Sequence, residues 1–164
     1  MELLLVRHGI AEDQGARFPA DFDRPLTSDG RARMVVEGAA LRGLWLPDAI
    51  ITSPLVRARQ TAEILARACG IDGISVSDSL AERDFDDVFA AVTKLGVRRV
   101  AAVGHEPLLS MTLSIALTGS PGTVRSTFKK GAAALIGFDG DAKAGEGWLE
   151  WLLQPAALRA LAPA

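Results

Sequence analysis

The only two histidines among the 164 residues each follow an apolar run of strand length. Leu3-Leu4-Leu5-Val6 leads into Arg7-His8-Gly9, and Arg99-Val100-Ala101-Ala102-Val103 leads into Gly104-His105. A buried strand that stops in a cation and an imidazole presents both side chains at the rim of a sheet. Gly9 lets the chain turn where a Cβ would obstruct it. An imidazole in such a place can attack phosphorus, and a guanidinium beside it matches phosphate oxygens with paired charge-assisted hydrogen bonds. His8 is therefore read as a candidate nucleophile and Arg7 as the first half of a phosphate clamp.

A second cation stands at the mouth of a helix. Ser53-Pro54 reads as a helix start, with serine as cap and proline at the first helical position. That helix is expected from Pro54 to about Ala68, closed by Gly70, with Leu55, Ala58, Ala62, Leu65 and Ala66 facing inward. Arg57 falls in its first turn. Cations are favoured at the opposite end of a helix, so a bound anion is one reason for an arginine here. A solvated surface arginine is the other.

Positioning these groups falls to alternating strands and helices. After Gly9, Ile10 to Leu26 has no period of either kind and holds Asp13, Asp21, Asp23, Pro19 and Pro25. It reads as a surface loop, either one wall of the site or a plain connector. Leu26-Thr27-Ser28-Asp29-Gly30 opens a helix capped by Thr27 or Ser28 and ended by Pro47. Its inward face is expected to be Val35, Val36, Ala39, Ala40 and Leu44, with Arg33, Glu37 and Arg42 outward.

Strands are expected over Ala49–Thr52, Ile74–Ser77, Arg99–Val103, Ala132–Phe138 and Gly147–Leu153, with Trp148 and Trp151 read as sheet and core packing. Further helices are expected from Asp84 to Leu95, from Glu106-Pro107 to Gly119 and from Pro155 to Leu161. The alternation predicts an α/β three-layer sandwich with a mostly parallel central sheet and helices on both faces. In such sheets ligands bind beyond the carboxyl ends of the strands. Arg7, His8 and His105 belong to that edge, and Arg57 to a helix leaving it.

Composition narrows the chemistry further. Hydrophobic residues make up 49%, enough for one compact domain over residues 1–164. Eighteen basic and 20 acidic residues give a net charge of −2, which offers no field for nucleic acid. The pairs Arg98-Arg99 and Lys129-Lys130 read as solvated surface. Cys69 is the only cysteine, which excludes an internal disulfide or thiolate metal cluster, and it reads as a small core residue. Two histidines are too few for a poly-histidine metal site. Met1-Glu2 and four apolar residues are too short and wrongly charged for a signal peptide, and no run approaches a membrane span. A soluble cytoplasmic monomer is the expectation, with no cofactor or metal.

These residues together resemble the histidine phosphatase superfamily, which includes the phosphoglycerate mutases. Its Arg-His-Gly signature stands at Arg7-His8-Gly9, directly after the first strand. Its Ser-x-x-x-Arg-Ala-x-x-Thr-Ala pattern stands at Ser53 to Ala62, and its later Gly-His at Gly104-His105. A Leu-Thr-x-x-Gly helix start matches at Leu26 to Gly30. These four elements keep the family's order over roughly residues 1 to 110. The resemblance implies phosphoryl transfer to His8 followed by hydrolysis, with Arg7, Arg57 and His105 holding the phosphoryl oxygens and no metal required. It also implies a proton donor in a Leu-x-Glu-Arg context, which Leu80-Ala81-Glu82-Arg83 matches. The glycine and aromatic residues that often follow are replaced by Asp84-Phe85-Asp86-Asp87. Glu82 is thus either the acid or a helix-start carboxylate paired with Arg83. Ala11 is a further departure, offering no hydroxyl where mutase-like members often carry one.

Within the superfamily the chain resembles the short SixA-type branch of protein phosphohistidine phosphatases. Few residues separate Glu82 from the strand at Arg99, which leaves little material for a lid and an open site for a folded protein. Phosphohistidine also has an imidazole leaving group, which asks less of a general acid than an alkoxide does. The implied partner is a protein carrying phosphohistidine, such as a phosphotransfer domain. The alternatives are a small-molecule phosphomonoesterase, with the Ile10 to Leu26 loop closing over a sugar or nucleotide phosphate, and a phosphate-binding module without turnover.

Overall fold

A computed structural model describes residues 1–81 and 85–163. The chain order is β1 (Glu2–Arg7), α1 (Ser28–Leu44), β2 (Ala49–Thr52), α2 (Val56–Cys69), β3 (Ser75–Val76), α3 (Phe85–Thr93), β4 (Arg99–Gly104), α4 (Leu108–Thr118), β5 (Ala133–Phe138), β6 (Gly147–Leu153) and α5 (Pro155–Leu161). The strands form one sheet in the order β3-β2-β4-β1-β5-β6. β1, β2, β3 and β4 pair in parallel, and β5 pairs antiparallel with both β1 and β6. Only β5 therefore runs against the rest.

The unbroken apolar runs of β1 and β4 follow from this placement. Each is a central strand covered on both faces, so no polar alternation is tolerated. Leu3 and Leu5 point into one core with Leu109 and Leu113 of α4 and Val88, Phe89 and Val92 of α3. Leu4 and Val6 point into the other with Leu41 of α1, Leu65 of α2 and Leu158 of α5. Helices cover both faces, which makes the expected three-layer sandwich. Among the described residues no helix is long and apolar enough to cross a membrane.

Three local expectations need correction. On α1 the buried stripe is Gly30, Met34, Glu37, Gly38, Ala40 and Leu41, while Val35, Val36 and Leu44 are exposed. Glu37 is inside because α5 lies on α1 and brings Arg159 to its carboxylate. Gly38 is inside because a Cβ there would sit against Ala68 of α2, a close helix approach that hydropathy does not register. The second correction is at α2, which begins at Val56 with Leu55 as its uncapped boundary residue, so Ser53-Pro54 lies ahead of it. The third concerns Trp148, which is exposed, although it covers the face of Gly137 where a Cβ would strike the indole. Trp151 packs at the margin of the second core.

The turn after β1 is set by α1. Thr27 caps that helix by accepting the Gly30 N–H at 2.9 Å, and its own N–H donates to the Ile10 carbonyl at 2.9 Å. A Cβ on Gly30 would collide with that same Ile10 oxygen. The Leu-Thr-x-x-Gly pattern thus seats the chain leaving His8 on the first turn of α1.

Candidate active site

The central pair of strands places the two histidines side by side. Arg7 of β1 is in register with Gly104 of β4, so His8 and His105 leave the sheet at the same height on neighbouring strands. The β1 chain departs toward one face, into α1, and the β4 chain toward the other, into α4. A crevice opens at such a divergence in strand order. The ring centroids are 5.0 Å apart. Val103 is in register with Thr52, so Ser53 falls level with Gly104, next to His105, and its Oγ lies 2.8 Å from His105 Nε2. Ser53 is therefore a partner of the second histidine, and its Oγ also accepts the Leu55 N–H at 3.3 Å just ahead of α2.

The His8 ring has one defined tautomer. Nδ1 lies 2.7 Å from the Gly9 carbonyl oxygen, which can only accept, so Nδ1 carries the proton and Nε2 keeps its lone pair. Arg57 Nε donates toward that lone pair at 3.3 Å. Arg57 is buried, 5% exposed, at the start of α2, and one turn on the Thr61 hydroxyl donates to the Arg57 main-chain carbonyl and accepts the Gly9 N–H. The Ser, Arg and Thr of the Ser53 to Ala62 pattern all converge on the two histidines.

Arg7 comes from the other side. Its Nη1 donates to the Phe128 carbonyl at 2.5 Å, while the Phe128 N–H is held by Glu106 Oε1 at 3.0 Å. Arg7 Nε and His105 Nδ1 are buried with no hydrogen-bond partner among the described residues. Buried donors and acceptors without partners are rare, and they accumulate where a ligand completes the bonding. The structure thus brings Arg7, His8, Arg57 and His105 together. Glu82 lies outside the described residues.

The electrostatics keep both rings neutral. Burial, then the positive charges of His105, Arg57 and Arg7, push the His8 pKa down to about 3, against a weaker opposing pull from Gly9. Burial and the arginines lower His105 to about 4. Both pKa values lie below that of an unfolded histidine, near 6.5. Between about pH 4 and 6.5 the unfolded chain binds more protons than the folded one, so stability rises with pH through this window and is lost on acidification. Each such histidine steepens the pH slope of unfolding free energy by about 1.4 kcal/mol per pH unit. Unfolding of the His8→Ala variant at pH 5 is expected to take up about one proton fewer than wild type. Equal slopes in the two proteins would contradict a neutral His8.

The family model for the histidine phosphatase superfamily (branch 1) matches residues 3–90. The chain belongs to this superfamily. An uncharacterised protein of Picosynechococcus is 42% identical over 112 residues, covering 65% of this chain and 67% of the relative. The probable phosphoglycerate mutase GpmB of Serratia proteamaculans is 40% identical over 78 residues, 46% of this chain. The chain spans only about a third of that mutase's length, 35%. Among solved structures, the protein histidine phosphatase SixA complexed with tungstate superposes with a TM-score of 0.82 at 27% identity, covering 96% of this chain and 99% of the other. The histidine phosphatase fold therefore runs past the family match, through β5 and β6.

The geometry also brings to the site two residues that sequence reasoning left aside. Asp21, placed in a connector or wall, contacts Arg57 directly. Glu106, placed at a helix start, holds both the Ser110 N–H at the head of α4 and the Phe128 N–H near Arg7. The signal available for Asp21 was its carboxylate in a long loop that begins at the site. For Glu106 it was adjacency to His105.

Proposed function

We propose that the chain is a phosphohistidine phosphatase that works through a covalent phospho-His8 intermediate. The observation that carries this reading is the His8 ring itself. Its Nδ1–H is tied to the Gly9 carbonyl, so Nε2 presents a lone pair in a pocket of arginine nitrogens. A neutral imidazole held this way is a nucleophile at pH 7.

The steps follow from the groups present. His8 Nε2 attacks phosphorus as the P–N bond to the substrate imidazole breaks, and that imidazole, already protonated at its other ring nitrogen, leaves as the neutral ring. Arg57 Nε, Arg7 Nε and His105 hold the three equatorial oxygens, where fixed donors and positive charge stabilise the transferring group. Water then attacks phospho-His8, releasing orthophosphate and restoring the neutral ring. The guanidinium groups supply the charge that a divalent cation supplies in other phosphoryl-transfer sites, so the reaction runs without metal. Glu82 is the donor this reading assigns where a more basic leaving group, such as an alkoxide, needs one.

The choice of a phosphorylated protein as substrate is supported by the likeness to SixA and by the short connection from Ala81 to β4. The mutase relative favours a second reading, a small-molecule phosphomonoesterase. The two are separated by comparing kcat/KM for a phosphohistidine-bearing protein with kcat/KM for phosphoglycerates, sugar phosphates and nucleotides. A preference for the phosphoprotein of about tenfold or more, equivalent to about 1.4 kcal/mol in the transition state, is expected. A preference for one metabolite would sink the protein-substrate reading.

A further inference from the structure

The Ile10 to Leu26 segment leaves the site at Gly9 and returns beside it, with its two ends tied. Ala11 bridges Leu26, the Glu12 N–H donates to the Pro25 carbonyl at 2.8 Å, and the Leu26 N–H donates to Gln60 Oε1 of α2 at 2.8 Å. With its ends fixed, the loop carries a single 3-10 turn, Asp21–Asp23, onto the first turn of α2. There Asp21 meets Arg57 twice. Arg57 Nη1 donates to the Asp21 carbonyl at 2.7 Å, and Nη2 donates to Asp21 Oδ2 at 2.8 Å.

The carboxylate is itself held. Its Oδ1 accepts from Arg24 Nε at 2.8 Å and Nη2 at 2.5 Å, and Arg24 Nη1 donates to the Glu12 carbonyl at 2.7 Å. Partial burial works against the charge on Asp21, but hydrogen bonds from Arg24 and Arg57 outweigh it and hold the carboxyl below the usual range. At neutral pH Asp21 is therefore an anion and no proton donor. An exposed pair of this kind contributes little to stability. Here its partner is the buried arginine that faces the reacting nitrogen, where orientation matters more than binding energy. A guanidinium has five N–H groups in a rigid fork, so gripping its two terminal nitrogens fixes where the third points.

We propose that Asp21 is a positioning residue for phosphoryl transfer, gripping both terminal nitrogens of Arg57 so that Nε stays aimed at the reacting centre beside His8 Nε2, where a phosphoryl oxygen takes up its N–H. This rests on the assignment of His8 and Arg57 above. The loop is then part of the machinery, and its negative charge near the phosphate site lowers phosphate affinity while it improves aim.

The test uses phosphoramidate as phosphodonor, single-turnover labelling of the protein, and the dissociation constant of orthophosphate. Asp21→Ala removes the side-chain grip and is expected to label about 10- to 100-fold more slowly at saturating donor, the scale of a misplaced catalytic group. Asp21→Asn keeps an oxygen for Nη2 but loses the charge. It is expected to recover most of the rate and to bind orthophosphate several-fold tighter, because a like charge has gone. Tighter phosphate binding reports the lost charge, whereas recovery of the rate by Asp21→Asn and not by Asp21→Ala reports the grip on Arg57. Wild-type labelling by Asp21→Ala would overturn the proposal. So would an Asp21→Asn variant as slow as Asp21→Ala with no gain in phosphate affinity. His8→Ala run alongside separates the two assignments: labelling of that variant removes the reading of His8, whereas its silence beside normal labelling of Asp21→Ala removes only the role of Asp21.

Discussion

Replacing His8 with alanine is expected to abolish turnover and the acid-labile phosphoenzyme together, while orthophosphate still binds. In the proposed mechanism this removes the nucleophile and with it the covalent route, a decrease on the order of 10⁴-fold or more in kcat/KM, equivalent to about 5.4 kcal/mol of transition-state stabilisation. The folded protein should survive. The ring is neutral in its site, and its removal leaves the Gly9 carbonyl short of one donor, a cost of about 1–3 kcal/mol. Arg7, Arg57 and His105 remain to hold the anion. Acid-quenched protein after incubation with labelled phosphodonor reads the intermediate, and calorimetry reads phosphate binding. A His8→Ala protein that labels to wild-type stoichiometry would mean that another residue carries the phosphoryl group.

Arg57→Ala comes next in size. Arg57 Nε is the donor nearest the attacking nitrogen, and its charge also helps keep His8 and His105 neutral. Loss of a preorganised donor of this kind costs roughly 10²–10³-fold, about 2.7–4 kcal/mol, chiefly in kcat. Arg57→Lys should rescue little. A single ammonium cannot keep the main-chain and carboxylate contacts to Asp21 and still face His8 Nε2. The Asp21 carboxyl should meanwhile titrate higher, having lost one of the two guanidinium partners that hold it down. Steady-state kinetics with both variants measures the effect. Activity of Arg57→Lys within a few-fold of wild type would show that only a positive charge is needed there.

These expectations depend on how the elements meet, and the chain made part of that legible. Apolar runs ending in Arg7-His8 and Gly104-His105 identify two central strands, because only a strand covered on both faces is apolar throughout. The cap at Thr27, the terminating Gly70 and the β-branched Ala49–Thr52 stretch are local signals, and each lies where the structure has it. Side-chain partnerships across elements were less readable. Ser53-Pro54 carries a good helix-start signal, yet Ser53 is drawn to His105 because β2 ends beside β4. Glu37 reads as solvent-facing from its charge. It is buried because Arg159, distant in sequence, arrives on α5 to pair with it. Gly38 gives no hydropathic sign that α1 and α2 close on each other there.

The sequence by itself determined which side chains can do chemistry and which strands must carry them, since nucleophile, clamp and buried strand are each encoded within a few consecutive residues. Only the tertiary structure decided their mutual geometry. The tautomer of His8, the approach of Arg57 Nε to its lone pair, the contact of Ser53 with His105 and the hold of Asp21 on Arg57 all depend on strand register and helix docking between segments far apart in the chain. Register and docking are settled by the packing of two cores at once, and no single stretch of sequence contains that information.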